Sequence, residues 1–319
     1  MTARRKVILA LSVAVIVLFI VGILPLLLLL NRHSSCKEAD SLVDEGIKYC
    51  EEYNIEKAMT YFTRAIELCP SSARAYIYRG MLYAGMNEFF LAINDLDKAV
   101  SLEPGNPDAY ATRGALFASN GSGFLAIDDY GKAIEIDPKR RDLYYYRGAE
   151  YLKIGFYDAA VSDFSKAISL DLRSPYSYIS RAEAYERLMK YSEAITDYTK
   201  AIALLPDDIE LYERRGNLYL GLKDFDSALS DCRSVLSYDP GNSNAYYYIG
   251  LIYKDRGDYV GALDYFNRAL EYGANYEAHR ARGILLMELG RTVEARNEFE
   301  TACNLNYYED ACELWQKIK

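Results

Sequence analysis

The chain has 319 residues and sets 37 Lys and Arg against 46 Asp and Glu, for a formal charge of −9. Residues 1–37 carry five of the bases (Arg4, Arg5, Lys6, Arg32 and Lys37) and no acid, which leaves 32 bases against 46 acids and a charge of −14 beyond them. Duplex nucleic acid is bound through bases that displace counterions, so this balance argues against a nucleic-acid partner; the acidity suits either a basic partner or the solubility of a tyrosine-rich chain.

Arg4, Arg5 and Lys6 precede 24 residues without a charge, 7–30, and the stretch closes at Asn31 and Arg32. That length is enough to span a bilayer. A cleaved signal peptide has a shorter apolar region followed by small residues, so the reading is an uncleaved signal anchor, which Gly22 and Pro25 bend without preventing insertion. Three bases before the span outweigh Arg32 and Lys37 after it, which places residues 1–6 in the cytoplasm by the positive-inside rule. Everything beyond a juxtamembrane linker at 31–38 is then extracytoplasmic in a single-pass protein of the cell membrane. Polar residues before Cys36 argue against lipoprotein processing there.

From residue 39 a unit recurs. Tyr76, Tyr110, Tyr144, Tyr178, Tyr212 and Tyr246 are spaced at 34 residues, and Gly80, Gly114, Gly148, Gly216 and Gly250 lie four residues after their tyrosines. Self-similarity at that period predicts a stacked array. Each unit reads as two helices of about a dozen residues, the first ending near Gly or Asn and the second at a turn such as Pro104-Gly105-Asn106. A small residue in the first helix faces one in the second: Gly46 with Ala58, Gly80 with Ala92, Gly114 with Ala126, Gly148 with Ala160, Ala182 with Ala194, Gly216 with Ala228, Gly250 with Ala262 and Gly283 with Ala295. Eight units follow, at 39–72, 73–106, 107–140, 141–174, 175–208, 209–242, 243–275 and 276–309. The seventh lacks its turn Pro and is one residue short, so packing is expected to change near Gly273 and Tyr276. Leu314, Trp315 and Ile318 at helical spacing predict a capping helix over 310–319.

In the fourth unit the fixed positions are Gly148, Tyr151, Ala160, Phe164 and Ala167, and Pro70, Pro104, Pro138, Pro206 and Pro240 keep the closing turn in others. This pattern resembles the tetratricopeptide repeat. The resemblance covers residues 39–309 and implies an all-α, right-handed superhelical solenoid of eight helix hairpins plus a capping helix, preceded here by one transmembrane helix. It also implies a concave face that binds peptides or proteins.

Tyrosine is abundant, at 31 residues. The comb above and a second row seven residues later (Tyr49, Tyr83, Phe117, Tyr151, Tyr185, Tyr219 and Tyr253) share one face of the first helix and read as packing. Tyr78, Tyr145, Tyr146, Tyr176, Tyr247 and Tyr248 fall outside those rows, where the resemblance puts the concave surface, and are either binding anchors or exposed filler. Acids beside them, Asp108, Asp142, Glu183, Glu210, Glu213 and Glu277, suit an extended partner with apolar and basic side chains. The chaperone-binding clamp of some family members does not carry over, because Val43, Ile47 and Tyr78 stand at its positions.

Arg79, Arg113, Arg147, Arg181, Arg215 and Arg282 precede the small residue, and sixteen residues after each comes Asp95, Asp129, Asp163, Asp197, Asp231 or Glu298. Where Glu45 and Ile249 replace the Arg, Tyr61 and Tyr265 replace the acid, so the expectation is an ion pair between the helices and not a ladder that clamps carboxylates or phosphates. His33 and His279 are the only histidines, His279 being an aromatic substitute in the tyrosine comb. With no metal-ligand spacing, phosphate loop or nucleophile elbow, no catalytic residue, metal site or cofactor is expected.

In an oxidising compartment Cys36 is expected to meet Cys69 and Cys303 to meet Cys312, while Cys232 holds a core position; six reduced cysteines would instead imply a cytoplasmic array and an inverted anchor. Asn120-Gly121-Ser122 forms a glycosylation triplet. The function expected is a membrane-anchored adaptor that binds protein or peptide in its groove and assembles complexes at the membrane; the alternative is a receptor for a non-protein ligand such as cell-wall glycan.

Overall fold

The computed structural model describes residues 24–273, 276–305 and 309–318. Every regular element among them is a helix. The helices are α1 (Leu24–Glu51), α2 (Ile55–Leu68), α3 (Ala73–Gly85), α4 (Phe89–Leu102), α5 (Pro107–Ser119), α6 (Gly123–Ile136), α7 (Arg141–Lys153), α8 (Tyr157–Leu170), α9 (Pro175–Arg187), α10 (Tyr191–Leu204), α11 (Ile209–Gly221), α12 (Phe225–Tyr238), α13 (Ser243–Asp255), α14 (Tyr259–Glu271), α15 (Tyr276–Glu288), α16 (Thr292–Leu305) and α17 (Glu309–Lys317). They fall into two compact units, one ending at Phe156 with α7 and the other beginning at Tyr157 with α8.

Residues 31–38, expected as a linker, are helical and continue into the first repeat as part of the 28-residue α1. No helix among the described residues is long and apolar enough to cross a membrane. The expected span at 7–30 lies outside the described residues up to position 23.

Each hairpin turns by the same chemistry. The backbone N–H groups of Asn54, Glu88, Ser122, Phe156, Lys190, Asp224, Asp258 and Arg291 donate at 2.8–2.9 Å to the carbonyls of Tyr49, Tyr83, Phe117, Tyr151, Tyr185, Tyr219, Tyr253 and Leu286. This six-to-one bond closes a helix only when the residue before the donor takes the left-handed conformation. Those residues are Tyr53, Asn87, Gly121, Gly155, Met189, Lys223, Gly257 and Gly290, all at positive φ. The side chains of Asn54, Asp224 and Asp258 then accept from the first turn of α2, α12 and α14.

Within each unit the hairpins close over small residues. A Cβ on Gly46 would stand 2.4 Å from the Phe62 ring, and one on Gly250 would stand 2.6 Å from Phe266. Both rings are fully buried, so glycine is what lets the backbones approach. Cys36 of α1 is bonded to Cys69, which follows α2, and Cys303 of α16 is bonded to Cys312 of α17. Leu314, Trp315 and Ile318 cover Leu286, Ala295 and Phe299.

The arginines lie between the two tyrosine rows. Arg79 donates from Nε and Nη2 to the two oxygens of Asp95 at 2.7 and 2.8 Å. Arg113 forks onto Asp129, Arg181 onto Asp197 and Arg215 onto Asp231 in the same way, at 2.7–2.9 Å. The remaining nitrogen reaches back to the preceding repeat: Nη1 of Arg113 donates to Asp97 at 2.7 Å, that of Arg181 to Ser165 at 2.9 Å and that of Arg215 to Thr199 at 2.9 Å. Rings of the two rows stand on either side, with Tyr178 and Tyr185 both 5.8 Å from the Arg181 guanidinium. In the two repeats without this arginine, tyrosine replaces the acid and packs on the second row, Tyr61 against Tyr49 at 5.2 Å and Tyr265 against Tyr253 at 4.9 Å.

Two outcomes follow. Met189 is 75 % exposed at φ 57°, so Met189→Gly relieves about 1–2 kcal/mol of left-handed strain against about 0.4–1 kcal/mol of added unfolded-chain entropy. Its urea midpoint should rise, and a fall would contradict the strain. Arg181→Gln leaves the Asp197 carboxylate, 3 % exposed, without its cation, and should cost about 3–5 kcal/mol. Adding Asp197→Asn should recover most of that loss in chemical unfolding; a cost near zero for the single change would remove the pair from the account.

Candidate functional site

The side chains outside the two tyrosine rows are held by a second set of arginines. Arg140 lies 2.8 Å from Asp142 and 2.5 Å from Asp108, joining the starts of α5 and α7. Its hydrogen bond holds the Asp142 carboxyl below the ordinary range, against the opposing effect of burial. Arg214 likewise bridges two acids, Glu183 at 2.6 Å and Glu210 at 2.7 Å. Asn242 donates to Glu213 at 2.9 Å. Arg74 with Asp44, and Arg280 with Asp310, form equivalent bridges at 2.7 and 2.8 Å. Asp108, Asp142, Glu183, Glu210 and Glu213 are therefore held in set positions, and Glu277 lines the cleft at the seventh junction. Sequence reasoning missed Arg140 and Arg214 because neither recurs with the repeat.

The predicted tyrosines divide by exposure. Tyr176 is 63 % exposed and Tyr146 is 48 % exposed. Tyr146 stacks on Tyr130 at 5.9 Å and meets the edge of Tyr145 at 5.7 Å, which fixes its ring. Tyr78 is half-buried, stacked on Phe62 at 5.6 Å, with the Arg74 guanidinium 5.7 Å from its ring centre. Tyr247 packs 6.2 Å from Phe266, and burial pushes its hydroxyl up to about 12. Tyr248 packs against the core of Cys232, Ala245 and Ile249. Geometry thus leaves Tyr146 and Tyr176 as the exposed rings of the set, with Tyr78, Tyr247 and Tyr248 partly committed to the core.

At the shortened seventh junction, Asp239, Asn242, Asn244, Tyr272, Tyr276 and Glu277 line an open cleft of about 500 Å³. Tyr272 stacks on Tyr246 at 5.4 Å there. Among the described residues, no three His, Cys, Asp or Glu side chains converge as a metal requires. Burial pushes the Cys232 thiol up to about 12, which removes its nucleophilic form at neutral pH.

His279 does more than fill the tyrosine comb. Its Nδ1 lies 2.7 Å from Glu298, whose other oxygen accepts from Arg282 at 2.6 Å. Glutamate stands here in place of the aspartate of the other pairs, and the extra methylene lets it reach both. Burial alone would raise the Glu298 carboxyl; the hydrogen bonds from His279 and Arg282 outweigh it and hold it below 4.5. A depressed carboxyl contributes stability that is complete above the unfolded value and is lost as pH falls through the folded one. The last repeat should therefore loosen below pH 4.5, and Glu298→Gln should flatten that dependence; an unchanged acid limb in α15 and α16 hydrogen exchange would contradict it.

Residues 175–208 and 209–275 match the tetratricopeptide-repeat family. No curated protein matches the chain. Among solved structures, a MamA protein is 28 % identical over 52 % of this chain and 91 % of its own, with a TM-score of 0.50. YrrB is 23 % identical over 59 % of this chain and 97 % of its own, at 0.53. The C-terminal part of a TPR repeat-containing protein from Cytophaga hutchinsonii is 21 % identical over 76 % of this chain and 97 % of its own, at 0.64. Residues 175–275 thus match tetratricopeptide repeats, and the helix hairpins share the fold of the Cytophaga hutchinsonii protein.

Proposed function

We propose that this chain is a membrane-anchored adaptor that binds a protein or peptide partner along the concave, first-helix side of its repeats and assembles complexes at the membrane. The observation that carries the reading is the pairing of exposed rings with fixed charge. Tyr146 and Tyr176 stand out from first helices, while Arg140 and Arg214 hold the neighbouring acids in place. A surface ordered before binding loses less entropy on association, and aromatic anchors supply contact area with few rotors. YrrB is described as having an unusual peptide-binding site; peptide binding is extended to this chain on its own residues. The anchor is residues 7–30, with Arg4, Arg5 and Lys6 kept in the cytoplasm. Two disulfides support an extracytoplasmic array. The role is non-catalytic and needs no cofactor, and the acidic charge disfavours nucleic acid.

One observation favours a second reading, a receptor for a non-protein ligand such as cell-wall glycan. The cleft beside Tyr272 and Tyr276 joins stacking rings to amides and carboxylates, the combination that suits a sugar.

Full-length protein carrying a photo-crosslinking phenylalanine at Tyr146 or Tyr176 should yield protein adducts in intact cells, and one at Lys132 on α6 should not. Tyr176→Ala should weaken capture of the partner so identified by about tenfold, the size of a typical aromatic anchor. Absence of adducts from both first-helix positions, with polysaccharide retained by the ectodomain, would replace the adaptor by the glycan receptor.

A further inference from the structure

In five of the eight repeats the first residue of the second helix is an aromatic (Phe89, Tyr157, Tyr191, Phe225 and Tyr259). Phe89 packs on the core that includes Leu116 of the next repeat, and Phe225 on the core that includes Ile252. At one place both partners change. Gly123 replaces the aromatic and Glu150 replaces the aliphatic residue, and the two meet: a Cβ on Gly123 would stand 3.1 Å from Glu150 Oε2. Neither change follows the repeat, and each removes apolar contact that the other hairpins keep.

Glu150 is only 8 % exposed, although it is a carboxylate at a core position. Its Oε1 lies 3.9 Å from Lys153 Nζ, at the limit of an ion pair. Its Oε2 is buried with no hydrogen-bond partner among the described residues. A buried acceptor left unmade costs about 1–3 kcal/mol, so the position is unfavourable for folding alone. The surface above it is apolar: Phe124 is 70 % exposed, Leu125 53 % and Phe156 54 %, with the Phe124 and Phe156 rings in edge contact at 6.3 Å. Asp158, Ser192 and Asp226 stand at the Phe124 position in the three repeats from the fourth to the sixth.

The geometry points to the Gly123–Glu150 notch and its Phe124 and Phe156 rim as a docking site for an Arg or Lys side chain of a partner polypeptide, flanked there by apolar residues. A long basic side chain lays its methylenes on the rings and carries its charge to the carboxylate beneath. A guanidinium fits best, since it pairs with a carboxylate and stacks on an aromatic face at once. A lipid surface is a poor match, because it would bury the uncompensated carboxylate deeper. The notch lies at the interhelical turns, apart from the first-helix tyrosines, and does not rest on the adaptor reading.

The test uses the full chain and two fluorine-labelled peptides, acetyl-Leu-Arg-Phe-amide and its Gln analogue, titrated by 19F NMR. Wild type should bind the Arg peptide about tenfold more tightly, the effect of one charge-assisted hydrogen bond. The double variant Gly123→Phe with Glu150→Leu restores the apolar pair of the other repeats, so it should keep or raise the unfolding temperature while losing that preference. Equal or absent binding of both peptides to wild type overturns the proposal and leaves Glu150 as an anion at the start of α6. A preference that survives in the double variant overturns it as well.

Discussion

The third, fifth and sixth repeats are each fastened by a guanidinium held from several sides. In Arg113, Arg181 and Arg215 two nitrogens fork onto an aspartate of the same hairpin and a third reaches the preceding one. A hairpin of two short helices cannot bury its own apolar face and depends on its neighbours. Apolar contact between repeats is tolerant of small slips, whereas a planar fork over a buried aspartate accepts one register. The flanking tyrosines shield that pair from water, which strengthens it and explains why so many rings are spent on scaffold. Where the pair is absent, Tyr61 and Tyr265 fill the same space with aromatic contact, and the hairpin still closes.

Residues in phase with the repeat build the array, and residues out of phase give it a character of its own. Arg140 and Arg214 belong to the second group. So do Tyr176, whose ring faces solvent, and Glu150, a buried carboxylate where Leu82, Leu116, Leu218 and Ile252 stand in other repeats. An array of identical units would offer a partner no unique address; these departures supply it.

Much of this was legible beforehand. The period, the eight small-residue pairs and the joint loss of Arg and acid all rest on backbone-dictated spacing, which sequence reports directly. The left-handed turn position was half legible: Gly121, Gly155, Gly257 and Gly290 signal it, but Tyr53, Asn87, Met189 and Lys223 take the same conformation because the six-to-one bond imposes it. Bridges by Arg140 and Arg214 were not legible, since a long side chain reaches different partners from different rotamers and nothing in its spacing fixes which. His279 read as a plain ring because its role depends on the added length of Glu298. The Gly123 and Glu150 pair shows as two separate irregularities until the fold brings them together.

Coupling between neighbouring repeats through one guanidinium is the central claim, and hydrogen exchange by mass spectrometry on Arg215→Gln tests it most directly. Loss of protection should appear in α11 and α12, where Asp231 loses its cation, and also in α10, where Thr199 loses its donor. Protection lost in α11 and α12 alone, with α10 unchanged, would show that the arginine closes its own hairpin and does not fasten one repeat to the next.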